Sequence, residues 1–147
     1  MNILAIEDNA EDAFLLLQAF SAVENCNAFV CRDVKEGKAY LEGAGLFSNR
    51  RRHPLPDAII CDVGFIGESG LDFITWLRGG EGFRDIPTVI LSGSLSKEDV
   101  EKARALGVLR VMQKPRDLRT LERALAQLME ELRLRANPNS HYLAFAH

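Results

Sequence analysis

The sequence predicts an α/β fold, a parallel sheet of five strands with helices on both faces. Three observations carry that prediction. Short apolar runs alternate with longer segments of helical period, the pattern of repeated strand–helix units. Glycines and capping residues stand at the junctions, where helices start and stop. Right-handed crossovers between successive strands then leave all of them parallel.

Ile3 to Ile6 is the first strand, and residues 13 to 22 (AFLLLQAFSA) are too long for a buried strand and read as a helix. Ala28 to Cys31 is a short second strand. Asp33 caps a helix running to about Glu42, ended by Gly43 and Gly45. Residues 45 to 56 (GLFSNRRRHPLP) form a long, basic, proline-bounded connection, in which Arg50, Arg51 and Arg52 read as a solvated run. Ala58 to Cys61 is a third strand, Leu71 to Leu77 a helix closed by Gly79 and Gly80, and Thr88 to Leu91 a fourth strand. Ser96 to Leu106 is a helix with a serine at its start, acids in its early turns and Gly107 at its end. Leu109 to Met112 is the fifth strand. The last helix, from about Leu118 to Leu134, carries Leu118, Leu121, Leu125, Leu128 and Leu132 at spacings of 3, 4, 3 and 4. This stripe serves either the core or a dimer surface.

Composition narrows the function classes. With 147 residues, 47% of them hydrophobic and 27% charged, the chain can bury a core in one domain without covalent staples. A net charge of -3 lacks the basic face of a nucleic-acid protein. Cys26, Cys31 and Cys61 are odd in number and fall in no zinc-like or redox spacing, so they read as buried thiols. His53, His141 and His147 are scattered and suggest no metal. Nothing before Ile3 reads as a signal peptide, and no apolar run approaches the roughly 20 residues that cross a bilayer. A soluble cytoplasmic protein with no membrane partner is expected.

Ligands of open parallel sheets sit beyond the carboxyl ends of the strands. There the first strand is followed by Glu7 and Asp8, the third by Asp62, the fourth by Ser92 and Gly93, and the fifth by Lys114 and Pro115. Three carboxylates, a hydroxyl and an ammonium thus converge on one edge. Packed carboxylates repel, and a hard divalent cation such as Mg²⁺ relieves the repulsion through oxygen ligands while keeping several waters. Asp8 and Asp62 are the natural direct ligands, with a backbone carbonyl of the glycine-containing loop after Asp62 as a further oxygen. Lys114 brings a mobile point charge and Ser92 a hydroxyl for a phosphoryl oxygen. Asp62 can then act as a nucleophile toward phosphorus and carry an acyl phosphate.

These residues resemble the receiver domains of two-component response regulators, over about residues 1 to 135. The resemblance rests on Glu7-Asp8-Asn9, on Asp62 with Gly70 eight positions later, on Ser92 thirty after Asp62, and on Lys114-Pro115 twenty-two after Ser92. It implies a flavodoxin-like (βα)5 sandwich with sheet order 2-1-3-4-5. It implies that Asp62 accepts phosphate from a histidine kinase, and that Asp8, Asp62 and the Gly64 carbonyl bind Mg²⁺ with Glu7 helping through water. Ser92 and Lys114 would sense the phosphoryl group, and the bond to Pro115 would be cis. Many receivers carry an aromatic residue three positions before the lysine; here Val111 stands there, and Ile66 replaces a frequent loop proline. Gly64 and Ser94, two past Asp62 and Ser92, are too small to position an attacking water. Slow autodephosphorylation, and not the turnover of a classical enzyme, is the expectation.

The connection at 45 to 56 and the tail from 136 to 147 exceed a minimal receiver, and a dozen residues hold no output domain. Both are reminiscent of stand-alone regulators paired with bacterial phytochrome kinases, which relay the signal to a downstream phosphotransfer protein or target. A homodimer is expected through Leu121, Leu125, Leu128 and Leu132 with an exchanged arm carrying Tyr142, Leu143 and Phe145. Two other classes stand beside this reading. One is a receiver-like interaction module that works without phosphorylation. The other is a Mg²⁺-dependent phosphohydrolase, which would want a second acid or base where Gly64 stands.

Overall fold

A computed structural model describes residues 1–64 and 69–138. The elements are β1 (Asn2–Ile6), α1 (Ala10–Ser21), β2 (Asn27–Cys31), α2 (Val34–Glu42), a short 3-10 turn (Gly45–Phe47), β3 (Ala58–Cys61), α3 (Gly70–Arg78), β4 (Thr88–Ser92), α4 (Lys97–Ala105), β5 (Arg110–Gln113) and α5 (Leu118–Ala136). All strand pairs are parallel, and the order is β2-β1-β3-β4-β5. The flavodoxin-like order expected from the sequence is therefore the one observed.

The layers come from strand alternation. On β1, Ile3 and Ala5 join Leu16 and Phe20 of α1 and the leucines of α5 in one core cluster. Leu4 and Ile6 point the other way, into a second cluster with Tyr40 and Leu41 of α2, Phe73 and Ile74 of α3 and Ala103 of α4. A sheet buried on both faces needs near-continuous apolar strands, and β3 (AIIC) is buried at every position.

Each α-helix carries a side-chain cap at its N-terminus. Asp33 accepts from the Glu36 N–H at 2.7 Å, and Gly43 closes α2 at φ 66, where a side chain would be strained. Ser96 and Asp99 form a reciprocal capping box. Asn9 and Asp117 cap α1 and α5 in the same way as Asp33 caps α2. The Asn9 cap starts α1 at Ala10, three residues before the expected start.

Three expectations need correction. Leu121, Leu125, Leu128 and Leu132 lie 1 to 4% exposed inside the first cluster, because the 3-4 spacing that could have made a seam faces the sheet; they form no dimer surface. The arm residues Tyr142, Leu143 and Phe145 lie outside the described residues. Arg50 is not a solvated loop residue. Its guanidinium donates to the carbonyls of Tyr40 at 2.8 Å, His53 at 3.2 Å and Leu41 at 2.6 Å, serving the last carbonyls of α2 and tying them to the loop. Arg51 and Arg52 remain exposed. Finally, there is no cis peptide bond among the described residues, so the bond to Pro115 is trans. The trans isomer is favoured by about 0.5–1 kcal/mol for X–Pro, and Lys114 reaches its partners with it.

Candidate functional site

The register of the sheet places the site. Ile6 pairs with Cys61, so the next residues along each strand, Glu7 and Asp62, emerge side by side. The ladder continues one step past the strands: the Asp62 N–H donates to Ile6 O at 3.3 Å, and the Lys114 N–H to Ser92 O at 2.8 Å. Four side-chain groups are thereby aimed from a stiff sheet rather than from loops. Of the four buried polar or charged residues among the described ones, three are Glu7, Asp62 and Ser92. Such concentration at one edge is costly unless the groups satisfy one another.

They do so through Asp62 and Lys114. Asp62 Oδ1 accepts from Ser92 Oγ at 2.8 Å and from the Gly64 N–H at 3.0 Å. Its Oδ2 accepts from Lys114 Nζ at 2.6 Å. The same ammonium reaches Glu7 Oε2 at 2.5 Å and Asp12 Oδ2 at 2.9 Å, so each of its three N–H donors has a carboxylate. Glu7 Oε1 also accepts from the Asn9 N–H at 3.0 Å.

These contacts set the charge states. Burial pushes the Asp62 carboxyl up, yet the bonds from Lys114, Gly64 and Ser92 outweigh it and hold Asp62 below the usual carboxylate range. Burial alone would lower Lys114, but Asp62, Glu7 and Asp12 raise it above the ordinary lysine value. Burial raises Glu7, against the pull of Lys114 and the Asn9 N–H. An anionic carboxylate beside an ammonium held in its charged form is the outcome.

Glu7, Asp8 and Asp62 each offer an oxygen, and these lie within 4.8 Å of one another. An all-oxygen set with Asp8 exposed to solvent fits a hard divalent cation that keeps part of its water. Gly64 is exposed and stands beside Asp62 through its N–H. Ile66 lies outside the described residues.

Gly70 is required by the site. A Cβ there would stand 1.9 Å from the Asp62 carbonyl oxygen, so only glycine lets the start of α3 approach the backbone that carries Asp62. This gives a physical reason for the eight-residue spacing. Val111 is half-buried in the second core cluster. Asp12 is the site residue that sequence reasoning missed. Its signal was Asn9, whose cap starts α1 early enough to put Asp12 on the first turn, facing Lys114.

The response regulator receiver domain model matches residues 3–126. The chain belongs to the response regulator receiver family. This receiver is 28% identical over 130 residues to the probable methanogenesis regulatory protein FilR2 of Methanothrix harundinacea, covering 87% of this chain and 81% of that one. Its structure is similar to that of the phosphorylated cyanobacterial phytochrome response regulator RcpA, with a TM-score of 0.78 at 25% identity, over 88% of this receiver and 91% of RcpA. It is also similar to the bacteriophytochrome response regulator RtBRR, with a TM-score of 0.70 at 30% identity, over 86% and 76% of the two chains. No helix among the described residues is long and apolar enough to cross a membrane.

Proposed function

We propose that this receiver takes a phosphoryl group from the phosphohistidine of a histidine kinase onto Asp62, in a Mg²⁺-dependent reaction, and relays the signal through protein contacts. The setting of Asp62 carries the reading: a largely buried, anionic carboxylate with Lys114 Nζ at 2.6 Å and Ser92 Oγ at 2.8 Å. One oxygen of Asp62 bonds to phosphorus as the bond from phosphorus to the donor nitrogen breaks, and that nitrogen keeps the electron pair. Lys114 turns from the carboxylate to a phosphoryl oxygen, while the Ser92 hydroxyl donates to another. Asp8, Asp62 and the Gly64 carbonyl, with Glu7 helping through water, would hold Mg²⁺, which would supply neutralisation of the charge that develops in transfer. Gly64 and Ser94 leave little to aim a water at phosphorus, so the acyl phosphate decays slowly without a phosphatase. Likeness to RcpA and RtBRR supports a phytochrome kinase as the donor.

The test is incubation with acetyl phosphate, with and without Mg²⁺, monitored by intact mass and by size in solution. A Mg²⁺-dependent gain of one phosphoryl group, absent in Asp62→Asn, is the expected result. No gain from acetyl phosphate or from a phosphorylated phytochrome kinase would sink the reading in favour of a module that binds without phosphorylation.

A further inference from the structure

Lys114 must stay in place while its partners change. Its side chain is a flexible four-carbon stem ending in a point charge, and holding it still costs rotamer entropy. Two of its three carboxylate partners, Glu7 and Asp62, belong to the oxygen cluster that fits a divalent cation. Asp62 also loses its free carboxylate when it carries a phosphoryl group. Asp12 lies outside that cluster, 2.9 Å from the ammonium. Neither a cation at the cluster nor a phosphoryl group on Asp62 takes its oxygens.

The fold holds Asp12 in position. Asn9 Oδ1 accepts from the Asp12 N–H at 2.9 Å, which pins the first turn of α1. Leu16 and Leu91, both buried, line the same narrow cleft as Asp12 and Lys114, so the lysine stem has an apolar wall along its length. The Asp12 side chain is 39% exposed and that of Lys114 15%. The aspartate therefore meets the ammonium from the solvent side of the cleft.

We propose that Asp12 is a positioning residue for phosphoryl transfer at Asp62, anchoring the Lys114 ammonium from α1 when the cation and the phosphoryl group claim its other partners. The inference rests on the phosphoacceptor role proposed for Asp62. It acts on the step in which an Asp62 oxygen bonds phosphorus and, with acetyl phosphate, acetate leaves with the electron pair. Anchoring affects that step after the donor has bound. A fourth carboxylate that only repelled the anionic donor would act before it, with the opposite sign.

The experiment measures the rate of phosphorylation against acetyl phosphate concentration at saturating Mg²⁺, for the wild type and for Asp12→Ala, Asp12→Asn and Asp12→Glu, with folding checked by circular dichroism and melting. In Asp12→Ala the maximal rate is expected to fall roughly fivefold, the scale of one charge-assisted hydrogen bond near solvent. The half-saturating concentration stays as in wild type. Asp12→Glu recovers most of the rate and Asp12→Asn does not; should Asp12→Ala fail to fold, the Asn and Glu variants decide. In a Lys114→Ala background, removing Asp12 changes nothing further, because its effect runs through the lysine. An unchanged or faster maximal rate in the Asp12 variants, with wild type fully phosphorylated, overturns the inference alone. So does an equal loss with and without Lys114, which would mark a purely structural helix-start role. A wild type that takes up no phosphoryl group overturns the phosphoacceptor reading and the inference together.

Discussion

The two edges of the sheet use buried charge in opposite ways. At the amino edge, Arg50 gives its N–H groups to neutral carbonyls of Tyr40, Leu41 and His53. Around it Phe29, Tyr40, Phe47 and His53 pack ring against ring, with centroids 5.1 to 5.8 Å apart. The Tyr40 hydroxyl donates to Pro54 O at 2.9 Å. This cation ties the end of a helix to the loop that follows it. At the carboxyl edge, one ammonium faces Glu7, Asp12 and Asp62, with Asp8 beside them. Here negative charge exceeds positive, and a cation or a phosphoryl group arriving there would change the partners of Lys114. A charge shared among neutral carbonyls serves the fold, whereas a shortage of positive charge in a rigid frame leaves chemistry to be completed.

The largest effect that would sharpen this contrast comes from Gly70→Ala. The new Cβ meets the Asp62 carbonyl backbone, which cannot swing aside as a side chain could. The expected loss is about 3 kcal/mol of stability together with a roughly tenfold slower phosphorylation. Denaturant unfolding and the acetyl phosphate assay measure the two; a full-rate variant would mean that the approach of α3 does not set Asp62.

Arg50→Ala should behave differently. Taking the guanidinium from the Leu41 and His53 carbonyls, and a second donor from Tyr40 O, costs about 2 kcal/mol, measured as a lower denaturant midpoint. Phosphorylation at Asp62 should run at the wild-type rate. A strong loss of phosphorylation in a folded variant would break the separation of the two edges.

The smallest effect is a pH dependence. Because Lys114 is raised by its carboxylates, the stability it contributes is fully present below the unfolded lysine value of about 10.4 and is lost as pH rises through its higher folded value. Relative to Lys114→Met, the wild type should lose melting temperature above pH ~10.4. Arg50→Ala, which leaves Lys114 and its carboxylates in place, should lose melting temperature over the same pH range as the wild type. Parallel curves for wild type and Lys114→Met would argue that the ammonium contributes nothing to the fold.

Much of this was legible along the chain because it is local. Apolar runs and glycine stops located every strand, and Asp33 and Ser96 announced their helices. Glu7, Asp62, Ser92 and Lys114 stand out as the polar residues at the carboxyl ends of apolar strands, and the structure brings them together. Asp12 escaped because its signal is the Asn9 cap, and a helix begun at Ala13 leaves Asp12 in a connection with no direction. Arg50 escaped for another reason: a basic triplet in a loop looks solvated until the carbonyls it serves are brought to it by the turn after α2.

By itself the sequence determined the alternation of elements, the parallel sheet and the set of groups at its carboxyl edge, since periodicity, caps and strand ends are short-range properties. Only the tertiary structure decided which face the α5 leucines take, which of the three arginines is structural, and that Lys114 is shared by Asp62, Glu7 and Asp12. Those outcomes depend on packing between segments as far apart as Asp12 and Lys114, 102 residues, where the same residue pattern suits a core, an interface or solvent equally well until its neighbours are in place.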